Sequence, residues 1–479
     1  MKLLTNFVKG RSIAPVGDEY LDDLDPATGE VIAKVPRSKG ADVDFAVMSA
    51  AKAFSSWSQT SVAERADLLD AVASRIEKRS EELAELESRD TGKPIQVART
   101  VDIPRAVANF RFFAGAVRHD QTGCHAMDGA LNYTLRAPLG VAALVTPWNL
   151  PIYLLSWKTA PALAMGNTVV AKPSELTPLT ASALADIFRE VGCPEGVFNL
   201  VHGTGAEAGE PLIGHPQVAL VSFTGGTATG ARVAAVAAPQ FKKLSLELGG
   251  KNATIVFADC DFDKTLAGAV RAGFLNQGQV CLCGSRILVE RSIHDRFVAA
   301  FVERVAAMKV GPPADPAMEL GALISLAHRD KVEGYLALAR EEGGLIACGG
   351  ERPLLPPPHD QGAFLEPTVI TGLSPRCRTA TEEIFGPVVT IHPFDTEAEA
   401  LTIANGVRYG LAASVWTNDL SRAHRVAARL ETGMVWVNTW LLRDLRVPFG
   451  GVKESGVGRE GGVHSLEFFS ESRNVCIKL

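Results

Sequence analysis

Two periods of hydrophobic residues alternate along the chain. Ala41 to Phe54 and Val62 to Leu86 carry apolar side chains at helical spacing, the second placing Leu68, Leu69, Val72 and Ile76 on one face, which predicts two amphipathic helices. Short apolar runs follow, bounded by turn residues: Gly140 to Val145, Thr168 to Ala171, Val197 to Val201 and Val218 to Phe223. Each is apolar on both faces, as in a parallel sheet covered by helices, so the region predicts a doubly wound α/β domain. A further set, Ala253 to Phe257, Arg286 to Val289, Val388 to His392, Ala412 to Trp416 and Gly433 to Val437, predicts another α/β domain, with helical segments such as His294 to Met308 between strands. Pro353 to Asp360, with four prolines, predicts a surface loop. Arg473 to Leu479 predicts a short terminal strand that needs a partner edge, another subunit being one candidate.

Composition narrows the class. With 479 residues, 47% hydrophobic and 21% charged, the chain fits a folded protein of two or three domains and excludes a disordered or fibrous one. Net charge is −6 and the basic residues are scattered, which argues against a nucleic-acid partner. The eight cysteines, at 124, 193, 260, 281, 283, 348, 377 and 476, lack CxxC pairs, so reduced thiols in a cytoplasmic setting are expected, with no metal site. No apolar run of leader length precedes Lys9 and Arg11. Ala137 to Trp157 has no charge over 21 residues, but Pro138, Pro147 and Pro151 break a spanning helix, so a buried loop and strand are expected and no membrane segment.

Several segments carry candidate chemistry. His202-Gly-Thr-Gly-Ala-Glu-Ala-Gly209 follows a strand and satisfies a relaxed dinucleotide pattern through Gly203, Gly205 and Ala208, a weak signal in a chain with 44 glycines. Val221 to Gly230 runs from a strand through a glycine turn into a helix, where Gly225 and Gly230 would let backbone amides and a helix start approach a pyrophosphate; a tight packing turn is the alternative. Lys172 and Glu175 end a strand; the carboxylate can accept both hydroxyls of an adenosine ribose and oppose an added phosphate, favouring NAD over NADP, or the two can form a simple ion pair. Cys281 follows glycine-bearing backbone that could stabilise a thiolate, although most such cysteines are packing residues. Glu247, among apolar residues and glycines, is a candidate base of raised pKa or an exposed strand-end acid.

TPWN at 146 to 149, KPSE at 172 to 175, FTGG at 223 to 226, LELGGKN at 246 to 252, GQVC ending at Cys281, EEIFGP at 382 to 387 and PFGG at 448 to 451 together resemble the NAD(P)-dependent aldehyde dehydrogenase superfamily, in its order and over nearly the whole chain. The resemblance implies a Rossmann-type cofactor domain (1–123 and 139–248), an α/β catalytic domain (249–440) and a small β oligomerisation element (124–138 and 460–479). It implies Cys281 as nucleophile, Asn149 and the Cys281 amide as oxyanion donors, and Glu247 as the base that activates water against a thioester. NAD would lie against Thr146, Trp148, Lys172, Glu175, Gly205, Gly225, Gly226, Gly230, Glu383 and Phe385. Where many relatives carry Ser after the first glycine of the phosphate turn, this chain has Gly226, which removes one phosphate contact. Cys283 either packs or bridges to Cys281 at rest.

The segments around Asp102 to Phe110, Asn149 to Trp157, Trp440 to Arg446 and Gly458 to Phe468 resemble, within that superfamily, the 2-hydroxymuconic and 2-aminomuconic 6-semialdehyde dehydrogenases. That likeness implies a planar aldehyde substrate with a distal carboxylate, bound by Arg105 and Arg443, with Arg446 in reserve. It implies a homodimer or homotetramer. Broader action on neutral aldehydes, a cofactor-free thiol esterase and a silent scaffold are the competing readings. The last is disfavoured because Cys281, Glu247 and Asn149 are all present.

Overall fold

The computed structural model describes residues 2–479. An eight-stranded sheet is built around parallel strands in the order Lys243–Glu247, Val218–Thr224, Val141–Val145, Thr168–Lys172 and Phe198–Leu200. The first of these in the chain, Val141–Val145, is central; the next two add on one side, and the chain then crosses back to add Val218–Thr224 on the other. Strand order therefore reverses between Val141–Val145 and Val218–Thr224, and their carboxyl ends bound the crevice where such sheets bind ligands.

Alternate residues of these strands feed opposite faces, as the period of two requires. Ala142, Leu144, Val169 and Ala171 join one core with helices Val62–Lys78, Ile103–Arg118 and Pro151–Ala164, while Val141, Ala143 and Val170 join the core under helix Gly40–Trp57. A seven-stranded sheet, Leu345–Cys348, Thr368–Thr371, Val388–Phe394, Arg286–Glu290, Ala253–Val256, Ala412–Trp416 and Met434–Val437, is parallel except at its first strand. Val256, Ile287 and Val289 point to one of its cores and Ala253, Ile255 and Leu288 to the other.

Three expectations change. The helix expected over Val62 to Leu86 is two, Val62–Lys78 and Ser80–Thr91, broken at Arg79, whose guanidinium turns to Glu82 and Glu190. The uncharged stretch is a strand and a loop as expected, but Pro151 then opens the helix Pro151–Ala164, buried at thirteen of its fourteen positions; proline suits a first helical position because the missing N–H has no partner there. The terminal strand begins earlier, at Ser470, and its partner edge lies in the same chain: Ser470–Lys478 pairs antiparallel with Ala130–Pro138, which also carries Cys124–Met127. Another subunit is not needed to satisfy that edge. A small sheet of Lys2–Leu3, Val31–Pro36 and Tyr20–Leu24 carries little signal in the apolar pattern, because its strands are short and partly polar. No helix among the described residues is long and apolar enough to cross a membrane.

Candidate active site

Three strand ends deliver the central residues. Val141–Val145 runs into Thr146–Leu150 before Pro151 starts its helix. Val218–Thr224 runs into Gly225 and Gly226, and Gly226 caps the helix Thr227–Ala237. Lys243–Glu247 runs into Leu248, Gly249 and Gly250, with the Gly225 N–H donating to the Glu247 carbonyl at 3.0 Å. Between them lies a cleft of about 280 Å³ that exposes Trp148, Asn149, Gly225, Gly226, Cys281, Glu383 and Phe385.

Cys281 reaches the cleft through a strained approach. Asn276 (φ 54°), Gln277 (φ 55°) and Gly278 (φ 69°) are successively left-handed, which costs free energy for the two that carry side chains. Gly278 is required twice over, because a Cβ there would also overlap the Gly386 carbonyl. The close approach clamps the cysteine loop to the segment bearing Glu383 and Phe385. Asn252 holds the loop's far side: its Nδ2 donates to the carbonyls of Cys281 (2.8 Å) and Cys283 (2.9 Å), and its Oδ1 accepts from the Ala412 N–H at 3.0 Å. Burial raises the Cys281 thiol pKa most, the Glu383 and Glu247 charges add to it, and the residue's own amide offsets a part. Cys283 is buried with Val280, Leu282, Trp440 and Phe449, burial pushes its thiol up to about 12, and both cysteines are free thiols.

Asn149 faces Cys281 across the cleft, its Nδ2 donating to the Gln279 carbonyl at 2.9 Å. Glu247 is buried beside them and neither carboxylate oxygen has a hydrogen-bond partner. Gly450 makes room for it, since a Cβ there would come 2.7 Å from Oε1. Burial, then the charge of Glu460, raise the Glu247 pKa well above the carboxylate range, with Lys158, Arg443 and Arg459 pulling the other way. Glu460 itself is held by Trp157 Nε1 and Lys158 Nζ, both at 2.7 Å.

On the dinucleotide side, Gly226 has open space above it, at a helix start whose first amides lack intrahelical acceptors. Gly230 is a packing glycine, where a Cβ would overlap Leu248. Thr146 is buried with Oγ1 unpartnered. Lys172 Nζ donates to the carbonyls of Gly203 (2.7 Å) and Pro173 (2.8 Å) and stands 3.5 Å from the Glu175 carboxylate at the strand end. Gly205 opens the turn beyond Gly203 and has free space at its Cα. Glu383 accepts from the Gly250 N–H at 2.8 Å. Phe385, left-handed at φ 63°, packs edge-on to Trp148, their centroids 5.4 Å apart.

Arg105 and Arg443 meet at Tyr153. Arg443 Nη1 donates to the Tyr153 hydroxyl at 3.1 Å, and the Arg105 guanidinium lies 5.6 Å from the ring centre. Arg443 is sandwiched between Trp157 (4.2 Å) and Phe449 (3.9 Å), and its Nε and Nη2 are buried without partners. Arg446 instead pairs with Asp444 in solvent and is not part of this group. Of the sequence candidates, Glu247, Arg105, Arg443, Thr146, Lys172, Glu175, Gly205 and Gly230 are not part of the cleft wall itself.

Sequence reasoning passed over His328 and Lys331, which line the cleft. His328 Nε2 donates to the Phe385 carbonyl at 2.7 Å, and burial holds its pKa down to about 4, so the ring is neutral. Nothing in a lone histidine on an amphipathic helix marks it. Lys251, in the LELGGKN segment, is buried with Nζ unpartnered and pushed down to about 7, chiefly by burial. Among the described residues no cluster of potential metal ligands occurs.

Comparison with known proteins gives concordant matches. The model of the aldehyde dehydrogenase family matches residues 13–475. A 2-aminomuconic semialdehyde dehydrogenase of Danio rerio is 50% identical over 99% of this chain and 98% of its own. A 2-hydroxymuconic semialdehyde dehydrogenase of Pseudomonas sp. (strain CF600) is 48% identical over the whole of both chains (100% and 100%). The crystal structure of betaine aldehyde dehydrogenase from Staphylococcus aureus in complex with NAD+ is similar with a TM-score of 0.96 and 40% identity, covering 99% of this chain and 94% of that one.

Proposed function

The chain belongs to the aldehyde dehydrogenase family, and from that premise we propose that it oxidises 2-aminomuconic or 2-hydroxymuconic 6-semialdehyde to the dicarboxylic acid, with NAD as cofactor. One observation carries the substrate class. Arg443 is a half-buried cation whose Nε and Nη2 are shielded from solvent without a hydrogen-bond partner; it has no carboxylate in ion-pair contact and is joined to Arg105 through Tyr153. Burying an unpaired guanidinium is costly, and a substrate carboxylate supplies the missing partner.

The residues present fit a dinucleotide. Thr146 Oγ1 is an orphaned buried hydroxyl, Gly226 leaves a free helix start, and Glu383, fixed by the Gly250 N–H, lines the cleft. The Lys172 and Glu175 pair suits the adenosine ribose, and the Glu175 charge repels the extra phosphate of NADP. NAD held by these residues would supply the hydride acceptor by which the carbon joined to Cys281 is taken to the thioester level. Cys281, once it has lost its proton, attacks the aldehyde carbon; the carbonyl electron pair moves to oxygen, which the Asn149 amide and the Cys281 N–H stabilise. Glu247, held basic by its raised pKa, takes a proton from water, whose oxygen adds to the thioester carbon. The C–S bond then breaks, returning Cys281 as thiolate and releasing the acid.

We assign 1–123 and 139–248 to the cofactor-binding half, 249–440 to the catalytic half and 124–138 with 460–479 to a bridging element. Its three-stranded sheet exposes Met127, Leu135 and Ile477 and supports assembly into a homodimer or homotetramer. The test is NADH formation with both muconic semialdehydes and with benzaldehyde. An advantage in kcat/KM of about tenfold or more for the acidic substrates is expected; parity with benzaldehyde refutes the substrate assignment.

A further inference from the structure

Asn149 sits on a loop with little backbone support. Its carbonyl accepts no backbone N–H; instead two side chains donate to it, Lys93 Nζ at 3.1 Å and Asn276 Nδ2 at 3.2 Å. Lys93 reaches this point because helix Ser80–Thr91 ends at Gly92 in the left-handed conformation (φ 74°), its N–H donating to the Ser88 carbonyl at 2.9 Å. A Cβ at Gly92 would come 2.9 Å from the Ala322 carbonyl, so this tight turn directs the next residue inward. Ser88 Oγ then fixes the Lys93 carbonyl at 2.6 Å.

Lys93 is wholly buried, and so are its two carboxylates, Asp102 at 2.7 Å and Glu87 at 3.8 Å. Glu87 is held in turn by the Thr180 hydroxyl at 2.6 Å. Three buried ionisable groups are poor value as stability, since well-packed apolar residues of similar volume often serve as well or better. Their placement suggests a different use. Asp102 closes the π-helical turn Ala98–Asp102 and leads directly into helix Ile103–Arg118, where Arg105 stands three residues on. Such turns insert a residue and re-aim the helix that follows. Lys93 thus grips, with one ammonium group, the loop that presents Asn149 and the turn that aims Arg105.

We propose that Lys93 is a positioning residue for the oxidation: anchored by Asp102, it holds the Asn149 amide over the oxygen that becomes negative, and it sets the distance from that amide to Arg105. The inference rests on the oxyanion role given above to Asn149. It involves no contact between Lys93 and the substrate, so its signature is dependence on Asn149.

The test is a double-mutant cycle on the NAD-loaded enzyme with Lys93→Met and Asn149→Ala. Lys93→Met alone is expected to lower kcat/KM roughly 10- to 100-fold, mainly through kcat, short of the loss when an oxyanion donor is removed outright. In the Asn149→Ala background the same change costs less than about threefold, because no amide remains to be positioned. NAD binding, read by quenching of protein fluorescence, stays within about twofold of wild type. Equal losses in both backgrounds, or no loss in either, overturn the proposal while leaving Asn149 as the oxyanion donor. An unimpaired Asn149→Ala overturns the oxyanion assignment and this proposal together. Should Lys93→Met alone fail to fold, because Asp102 and Glu87 are left buried without a cation, Lys93→Met with Asp102→Leu and Glu87→Gln removes both uncompensated charges, and Asp102→Asn keeps Lys93 while loosening its anchor. Both carry the same expectation of a loss that vanishes without Asn149, and additive losses in either count against it.

Discussion

Arg443→Met tests the substrate assignment most directly. The guanidinium lies between Trp157 and Phe449 at 4.2 and 3.9 Å, so methionine keeps most of the packing while removing charge and donors. Two donor atoms, Nε and Nη2, are free for a carboxylate in a setting sheltered from water. Losing one member of a buried, hydrogen-bonded charge pair costs about 2–5 kcal/mol. At about 1.4 kcal/mol per tenfold, a mid-range loss of ~3 kcal/mol lowers kcat/KM for a muconic semialdehyde by about a hundredfold. Benzaldehyde offers no carboxylate, and its kcat/KM is expected within about threefold of wild type. One side effect has a known sign. Arg443 holds the Glu247 pKa down, so its removal raises that pKa and moves the acidic limb of the kcat profile to higher pH for every substrate. The comparison is therefore made on the plateau above that limb, by NADH absorbance. A fall of equal size on benzaldehyde, or an unchanged rate on the muconic substrate, refutes the reasoning.

Glu247→Gln removes the water-activating base but not the nucleophile, so rapid mixing is expected to show a burst of about one NADH per active site followed by turnover slowed roughly 10²- to 10⁴-fold; a fall without a burst counts against the role. In the wild type the basic form of Glu247 does the work and its pKa is raised, so kcat should climb with pH along a limb well above 4.5; a limb near the ordinary carboxylate value contradicts the burial argument. Glu175→Ser removes the charge that opposes an added phosphate, and the preference for NAD over NADP in kcat/KM should fall about tenfold or more; an unchanged ratio assigns discrimination elsewhere. Deleting residues 470–479 strips Ala130–Pro138 of the partner strand along its length, so sedimentation should show a smaller assembly, and an unchanged size removes this sheet from the interface.

The chain's apolar runs were enough to place the two α/β halves, since strands buried on both faces leave uninterrupted apolar stretches, and Ala412–Trp416 is found where the pattern put it. Glu247 and Cys281 were legible because glycines flank them where the backbone must turn, whereas Asn149 and Glu383 were singled out only through the family resemblance. What the sequence could not reveal is convergence across distance. That Arg443 lacks a carboxylate partner, that Glu460 raises the pKa of Glu247 and that Lys93 reaches the Asn149 carbonyl depend on side chains separated by tens to hundreds of positions. The pairing of Ser470–Lys478 with Ala130–Pro138 belongs to the same class. Local spacing records which face of an element is buried; which charges are left unpaired, and what they can bind, is settled only when the packed elements exclude water and bring distant residues within a few ångströms.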